Sequence, residues 1–326
     1  MIRRERIRFS VFQSLLTVLS VLALAGGGSA AEKFPSREIV IVNAYAAGSS
    51  TDLAARVLAE YLQKELGVPI IVEDRPEANG VKAVVDVYKA KPDGYLLLNN
   101  LIPRNCQMEI VYKTPYKILE LTYLPAFQRQ DMLLAVNKDS PYKTLKDLVE
   151  ASKKKPMNCS IGGMGSRSHL VAMLLKKKVG INFEVVPYKG NAQAVTALLG
   201  GHVDLTTADD LAVLSQKEKL RLMAIFYDER TPKFPGVPTL KELGYDFPIV
   251  YTTEGISGPP GLPDGIAKIL SDGLTKAIKN PAFIAKIDQM GPSPVYFSGP
   301  EFRKITEASY KVVEEYKDIF LEEKKK

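Results

Sequence analysis

The sequence predicts an α/β protein of two lobes, each a mostly parallel sheet flanked by helices. Three observations carry this reading. At 326 residues the chain exceeds what one ordinary core encloses. From residue 39 to about 98, strand-like and helix-like segments alternate as β-α-β-α-β, the order of a parallel sheet covered by helices. After residue 130 the alternation restarts as a second block.

The elements follow in order. Ile39–Asn43 is a short β-branched strand, and residues 50–65 place Leu53, Val57, Leu58, Tyr61 and Leu62 on one helical face. Gly67-Val68-Pro69 ends that helix before a strand at Ile70–Glu73. Val81–Lys89 reads as a helix, Pro92-Asp93-Gly94 as a turn and Tyr95–Leu98 as a strand. In the second block, strands are predicted at Met132–Val136, Met157–Ile161, Phe183–Pro187, Val203–Thr206 and Leu222–Phe226. Helices are predicted at Thr144–Lys154, about 168–178 and Ala192–Leu199. From about 228 prolines accumulate, which suits a connector between lobes. Two helices follow, about 264–278 and 300–322, a late helical segment without strands that must pack on the first lobe. The chain then crosses between lobes twice, near 131 and near 252, and two crossings make a hinge. The expected division is a signal peptide at 1–30, one lobe from 31–131 and 253–326, and the other from 132–252.

Residues 1–30 stand apart. Arg3, Arg4, Arg6 and Arg8 precede a mostly apolar run from Val11 to Ala25, and Gly26 to Ala31 are small residues. That order is a secretory signal peptide cut after Ala30, with Ala31 as the second choice. The apolar run is shorter than the roughly 20 residues of a spanning helix. The expected location is therefore periplasmic. Residues 1–30 hold four arginines and one glutamate, so +4 of the chain's +7 remains afterwards. A mild excess suits small anions and does not call for nucleic acid. Cys106 and Cys159 alone cannot make a structural zinc site, the only histidines are His169 and His202, and neither a metal nor a cofactor is expected. The two cysteines read equally as a disulfide or as buried apolar residues.

Two loops carry chemistry. Tyr45-Ala46-Ala47-Gly48-Ser49-Ser50-Thr51-Asp52 runs from a strand into a helix N-terminus, where unpaired amides and the helix dipole attract an anion. The same residues also read as a plain cap, with Ser49 or Ser50 capping and Asp52 complementing the dipole. Gly162-Gly163-Met164-Gly165-Ser166-Arg167-Ser168-His169 repeats the arrangement in the second block. It lacks the Gly-Lys-Ser/Thr of a phosphate-binding loop, and nothing orients a nucleophile beside His169, which also reads as structural. Asp209, after Thr206-Thr207-Ala208, reads as a cleft acid or as the next helix cap. Each lobe thus offers a helix N-terminus at the carboxyl end of a strand, where open α/β sheets take ligands. Facing each other, the two would clamp one anion, a carboxylate or phosphate, from both sides, with no catalysis.

Short motifs in fixed order resemble the periplasmic receptors of tripartite tricarboxylate transporters, the Bordetella-uptake-gene type. They are Phe34-Pro35-Ser36-Arg37, Gly48 to Asp52, Glu73-Asp74-Arg75-Pro76, Pro92-Asp93-Gly94-Tyr95 and Thr144-Leu145-Lys146-Asp147-Leu148. Gly163-Met164-Gly165-Ser166 with His169-Leu170, Val186 to Gly190, Leu199 to Asp204, Val237-Pro238-Thr239 and Gly299 to Phe302 complete the series. The resemblance implies a type II periplasmic-binding-protein fold that closes over an organic acid. The ligand would touch Ala47–Asp52 and Gly163–Ser166. It also implies a monomer serving membrane permease subunits, or alternatively a sensor protein. Departures stand at Ala46, usually proline, at Ser49, usually glycine, and at Thr253-Glu254, usually an aromatic pair.

Overall fold

The computed structural model describes residues 34–248 and 251–321. The expected signal peptide and its cleavage site lie outside these residues. Six strands form the first sheet: β1 (Ile39–Asn43), β2 (Ile70–Asp74), β3 (Leu96–Ile102), β4 (Thr122–Gln130), β10 (Thr252–Gly258) and β11 (Ser293–Phe297). Five form the second: β5 (Met132–Asn137), β6 (Met157–Ile161), β7 (Phe183–Pro187), β8 (Leu205–Asp209) and β9 (Leu220–Ile225). The spatial orders are β11-β4-β10-β3-β1-β2 and β7-β6-β8-β5-β9.

Both sheets are mixed, which corrects the mostly parallel expectation. β1 runs parallel to β2 and β3, and β6 runs parallel to β7 and β8. β10 is antiparallel to β3 and β4, and β5 is antiparallel to β8 and β9. The antiparallel strands lie on either side of the passages between sheets. β4 of the first sheet ends at Gln130 and β5 of the second begins at Met132. The return passage reaches β10 at Thr252.

Around the first sheet lie α1 (Ser50–Leu66), α2 (Val81–Tyr88), α3 (Arg104–Tyr112), α8 (Asp264–Ile278), α9 (Pro281–Met290), α10 (Gly299–Glu315) and α11 (Lys317–Leu321). The second sheet carries α4 (Leu145–Lys154), α5 (Arg167–Leu174), α6 (Asn191–Leu199) and α7 (Asp210–Leu214), with a π turn at Leu175–Val179 after α5. Local chemistry accounts for the ends. Thr144 and Asp147 form a reciprocal capping box that starts α4. Gly67, at φ 71°, closes α1 and donates to the Gln63 carbonyl. The buried stripe of α1 is Ala54, Ala55, Leu58, Ala59, Tyr61 and Leu62. Leu53, expected on that face, is 47% exposed, because the alanines, not the larger apolar residues, allow the helix close to the sheet.

The late segment also departs from expectation, since β10, β11 and α9 occur within it. β10 reads Thr-Thr-Glu-Gly-Ile-Ser-Gly, without the β-branched alternation that marks a strand. Its polar residues are nonetheless buried, and Gly255 is required there. A Cβ on Gly255 would stand 2.6 Å from the Ala126 Cβ and 2.7 Å from the Phe302 ring. β4 was hidden in the same way by Pro125 and by buried Gln128 and Arg129. Phe283 of α9 meets Tyr61 of α1 and Phe127 of β4 edge-on, at 5.7 and 6.2 Å between ring centres, so the late helix α9 packs on the first helix and the sheet. Cys106 and Cys159 are both free and fully buried, on α3 and β6. None of the described helices is long and apolar enough to cross a membrane.

Candidate functional site

The first loop leaves β1 at Asn43 and enters α1. Ser49 caps the helix, its Oγ accepting from the Asp52 amide at 3.2 Å. Asp52 folds back so that its Oδ2 accepts from the Gly48 amide at 2.7 Å, while its Oδ1 pairs with Arg56 Nε at 2.7 Å. Asp52 is 2% exposed, and both its carboxylate oxygens are engaged by the protein itself. It therefore shapes the loop. The amides of Ser50 and Thr51 have no acceptor among the described residues and are the donors left for an anion. Ala47, Gly48 and Ser50 are exposed, Tyr45 and Ser49 half-buried and Thr51 buried. Gly48 takes φ 79°, and a Cβ placed on it would meet nothing within 4 Å, so the backbone is open to close approach.

The second loop leaves β6 at Ile161 and enters α5. Ser166 caps it by accepting from the His169 amide at 3.2 Å and donating to the Gly163 carbonyl at 2.7 Å. The Ser168 Oγ accepts from the Gly162 amide at 2.8 Å, and His169 Nδ1 accepts from the Gly165 amide at 3.1 Å. Ser168 and His169 are buried. These bonds, with the Ser166–Ser168 hydroxyl contact at 2.8 Å, give the loop its shape. Gly165 sits at φ 67°. Met164 is half-buried and packs on the core. Asp209 lies at the end of β8 and caps α7: Oδ1 accepts from the Ala212 amide at 2.9 Å and Oδ2 from Asn191 Nδ2 at 2.6 Å.

Beneath the first loop runs a buried polar network absent from the predicted site. Asn99 Nδ2 donates to Glu254 Oε1 at 2.7 Å and reaches Asn43 Oδ1 at 3.3 Å and the Thr51 carbonyl at 3.4 Å. Gln128 Nε2 donates to the other Glu254 oxygen. Asn43 continues to Asp74 at 2.7 Å, and Asp74 to Arg56 at 2.9 Å. Glu254 is 1% exposed and forms no ion pair among the described residues. Burial pushes its carboxyl up to about 8, against the opposing pull of the Asn99 and Gln128 bonds. The side-chain oxygens of Asn99 and Gln128 are buried without a donor among the described residues. Burial also raises the Tyr45 phenol well above its usual range; nearby Arg104 opposes this and Glu254 adds to it.

The loops after β3 and β6 meet across a cavity of about 130 Å³. Gly165 and Ser166 line it from the second sheet's side, with Arg104 and Gln107 of α3 opposite. Gln107 Nε2 donates to the Gly165 carbonyl at 3.2 Å, and Arg167 donates to the Gln130 carbonyl at 3.3 Å and to Thr252 Oγ1. Arg167 thus touches both passages between the sheets. At the first passage Arg129 and Asp131 form a buried ion pair at 2.7 Å, with the Arg129 guanidinium 3.5 Å above the Tyr227 ring. Asp210, close by, is pushed up to about 7 by burial and by the Asp131 charge.

Of the residues predicted from sequence, Gly165 and Ser166 line this cavity; Tyr45 is not among its lining residues. Ala47, Gly48, Ser49, Ser50, Thr51 and Asp52 form one cluster, and Gly163, Met164 and His169 another. Asp209 is tied to α6 and α7. Sequence reasoning missed Arg104, Gln107 and Arg167 as lining residues. The signal available for Arg167 was its place in the first turn of a helix after a Gly-rich loop. For Arg104 there was none, since α3 has no side-chain cap and no clear apolar stripe.

Two sheets joined by two passages, with ligand-type loops at the carboxyl edges of their parallel strands, define a two-lobed solute-binding protein. The chain belongs to the tripartite tricarboxylate transporter family receptors, whose family model matches residues 54–315. It is 34% identical over 321 residues to a UPF0065 protein of the gbd 5' region of Cupriavidus necator, covering 94% of this chain and 95% of that one. Its fold superposes on a TctC solute-binding protein from Polaromonas with a TM-score of 0.82 at 26% identity, covering 86% and 98% of the two chains. An R. palustris protein, Rpa4515, solved with adipate, matches with a TM-score of 0.65 at 25% identity, covering 86% and 97%.

Proposed function

We propose that this chain is an exported periplasmic receptor that closes over a small organic carboxylate and delivers it, as a monomer, to a tripartite tricarboxylate-type permease. The lobes are 31–131 with 253–326, and 132–252, and they hinge at the two passages. The observation that carries the reading is the meeting of loops from both sheets across one cavity, joined by the Gln107–Gly165 bond. Free amides at Ser50 and Thr51 supply the helix-terminus donors that carboxylates prefer. Family membership and the adipate held by a relative point the same way. The protein is read as non-catalytic because the second-loop serines Ser166 and Ser168, and His169 Nδ1, are engaged in loop structure.

Thermal-shift screening of mono-, di-, tri- and aromatic carboxylic acids, followed by calorimetry, tests this. At least one acid is expected to bind. Gly165→Val is expected to weaken that acid more than about tenfold, since a β-branched side chain is strained at positive φ and blocks the backbone. Failure of every acid to bind, or unchanged affinity in a folded Gly165→Val protein, would overturn the reading.

A further inference from the structure

The cavity between the sheets contains two arginines that the loop-amide account does not use. Arg104 begins α3 at the carboxyl end of β3, and Arg167 begins α5 at the carboxyl end of β6. Both line the same space. Neither forms an ion pair with any described carboxylate. Among the described residues Arg104 has one hydrogen bond, a long one of 3.4 Å to Gln107 Oε1. Arg167 spends Nη1 on Thr252 and the Gln130 carbonyl, which leaves Nε and Nη2 without an acceptor among the described residues. By contrast Arg129 pairs with Asp131 and Arg75 with Glu73 and Asp86, while half-buried Arg221 donates to the carbonyls of Ser140, Tyr142 and Lys138. Arg167 feels the charges of Asp209, Asp210 and Asp131, but none of them reaches it as an ion pair. Two guanidinia therefore face one cavity with N–H groups free to donate to an anion. Leu170, Val313 and Phe320, all buried, supply the apolar part of the lining.

We propose that Arg104 and Arg167 form a guanidinium pair bridging the two lobes that grips a carboxylate of the ligand, so that the site selects acids joining that carboxylate to an apolar carbon body. This rests on the carboxylate-receptor reading and deepens it. One guanidinium comes from each lobe, so both reach the same carboxylate only when the lobes are together. The pair then contributes to closure as well as affinity. The apolar wall gives a reason to prefer a hydrocarbon chain or ring over a polyhydroxylated body, because hydroxyls there would lose their water without gaining partners.

The test is calorimetry on the mature protein and on Arg104→Gln, Arg167→Gln and the double variant. The probes are adipate, succinate, hexanoate, benzoate and citrate. The tightest of these is expected to lose about tenfold or more in each single variant, and the double variant to lose less than the product of the two. Affinity is also expected to fall with added salt in the wild type more steeply than in the double variant. Binding by the wild type that survives in both folded single variants would overturn the pair while leaving the receptor reading intact. No binding of any acid by the wild type would instead overturn the receptor reading. Arg104 makes one weak contact, so Arg104→Gln decides the matter even if Arg167→Gln does not fold.

Discussion

At the residue scale, Glu254 is the position where sequence and structure differ most in meaning. In the sequence it is a departure from an aromatic pair. In the structure it is a buried acid bonded by two amides beneath the first loop. Its carboxyl is raised to about 8 in the folded protein and titrates in the ordinary carboxylate range when unfolded. A raised acid holds its proton more tightly when folded. Stability is thus fullest below the unfolded pKa, falls as pH rises toward 8, and is level above that. Asp210, raised to about 7, acts in the same direction. Glu254→Gln keeps the shape and removes the charge. Urea unfolding should show it more stable than wild type at pH 8, by on the order of a few kcal/mol, and nearly equal at pH 4. An advantage that does not grow with pH would show that Glu254 is ionised in the folded state. The two loops were legible at this scale because glycine, serine and aspartate before a helix carry their conformational reasons in the residue types. The role of each residue was less so: Asp52 and Asp209 turn inward as partners of the loop and helix ends, a matter of side-chain direction that residue order does not state.

At the element scale, the parallel cores were legible through β-branched runs and glycine stops. β4, β10 and α3 were not, because their buried faces carry Gln128, Arg129, Glu254, Asn105 and Gln107. A polar residue reads as exposed until the partner that satisfies it is known, and those partners lie far off in sequence, as with Asn99 and Glu254. The β4–β5 passage depends on such a pair. Asp131 is fully buried, and burial raises its carboxyl while Arg129 opposes the rise. Arg129→Met strands that acid and removes the cation from the Tyr227 face. Chemical denaturation at pH 7 should report a loss of about 3 kcal/mol, the usual cost of breaking one side of a buried pair. A loss below about 0.5 kcal/mol would mean that Asp131 is already neutral and the pair contributes little.

At the scale of the whole molecule, the two sheets were foreseen from the restart of the pattern after residue 130. The strands that return to the first sheet after residue 251 were not. That return places both passages beside Arg167, whose bonds to Gln130 and Thr252 tie the ligand-side loop to the points where the lobes would turn. A ligand held between Arg104 and Arg167 would draw the lobes together through those same contacts. Small-angle X-ray scattering of the mature protein, with and without a saturating acid taken from the binding screen, tests this most directly. A smaller radius of gyration in the presence of the acid, absent in the Arg104→Gln/Arg167→Gln variant, is the predicted result. An unchanged radius at a concentration where calorimetry shows full occupancy would contradict closure over an interlobe ligand.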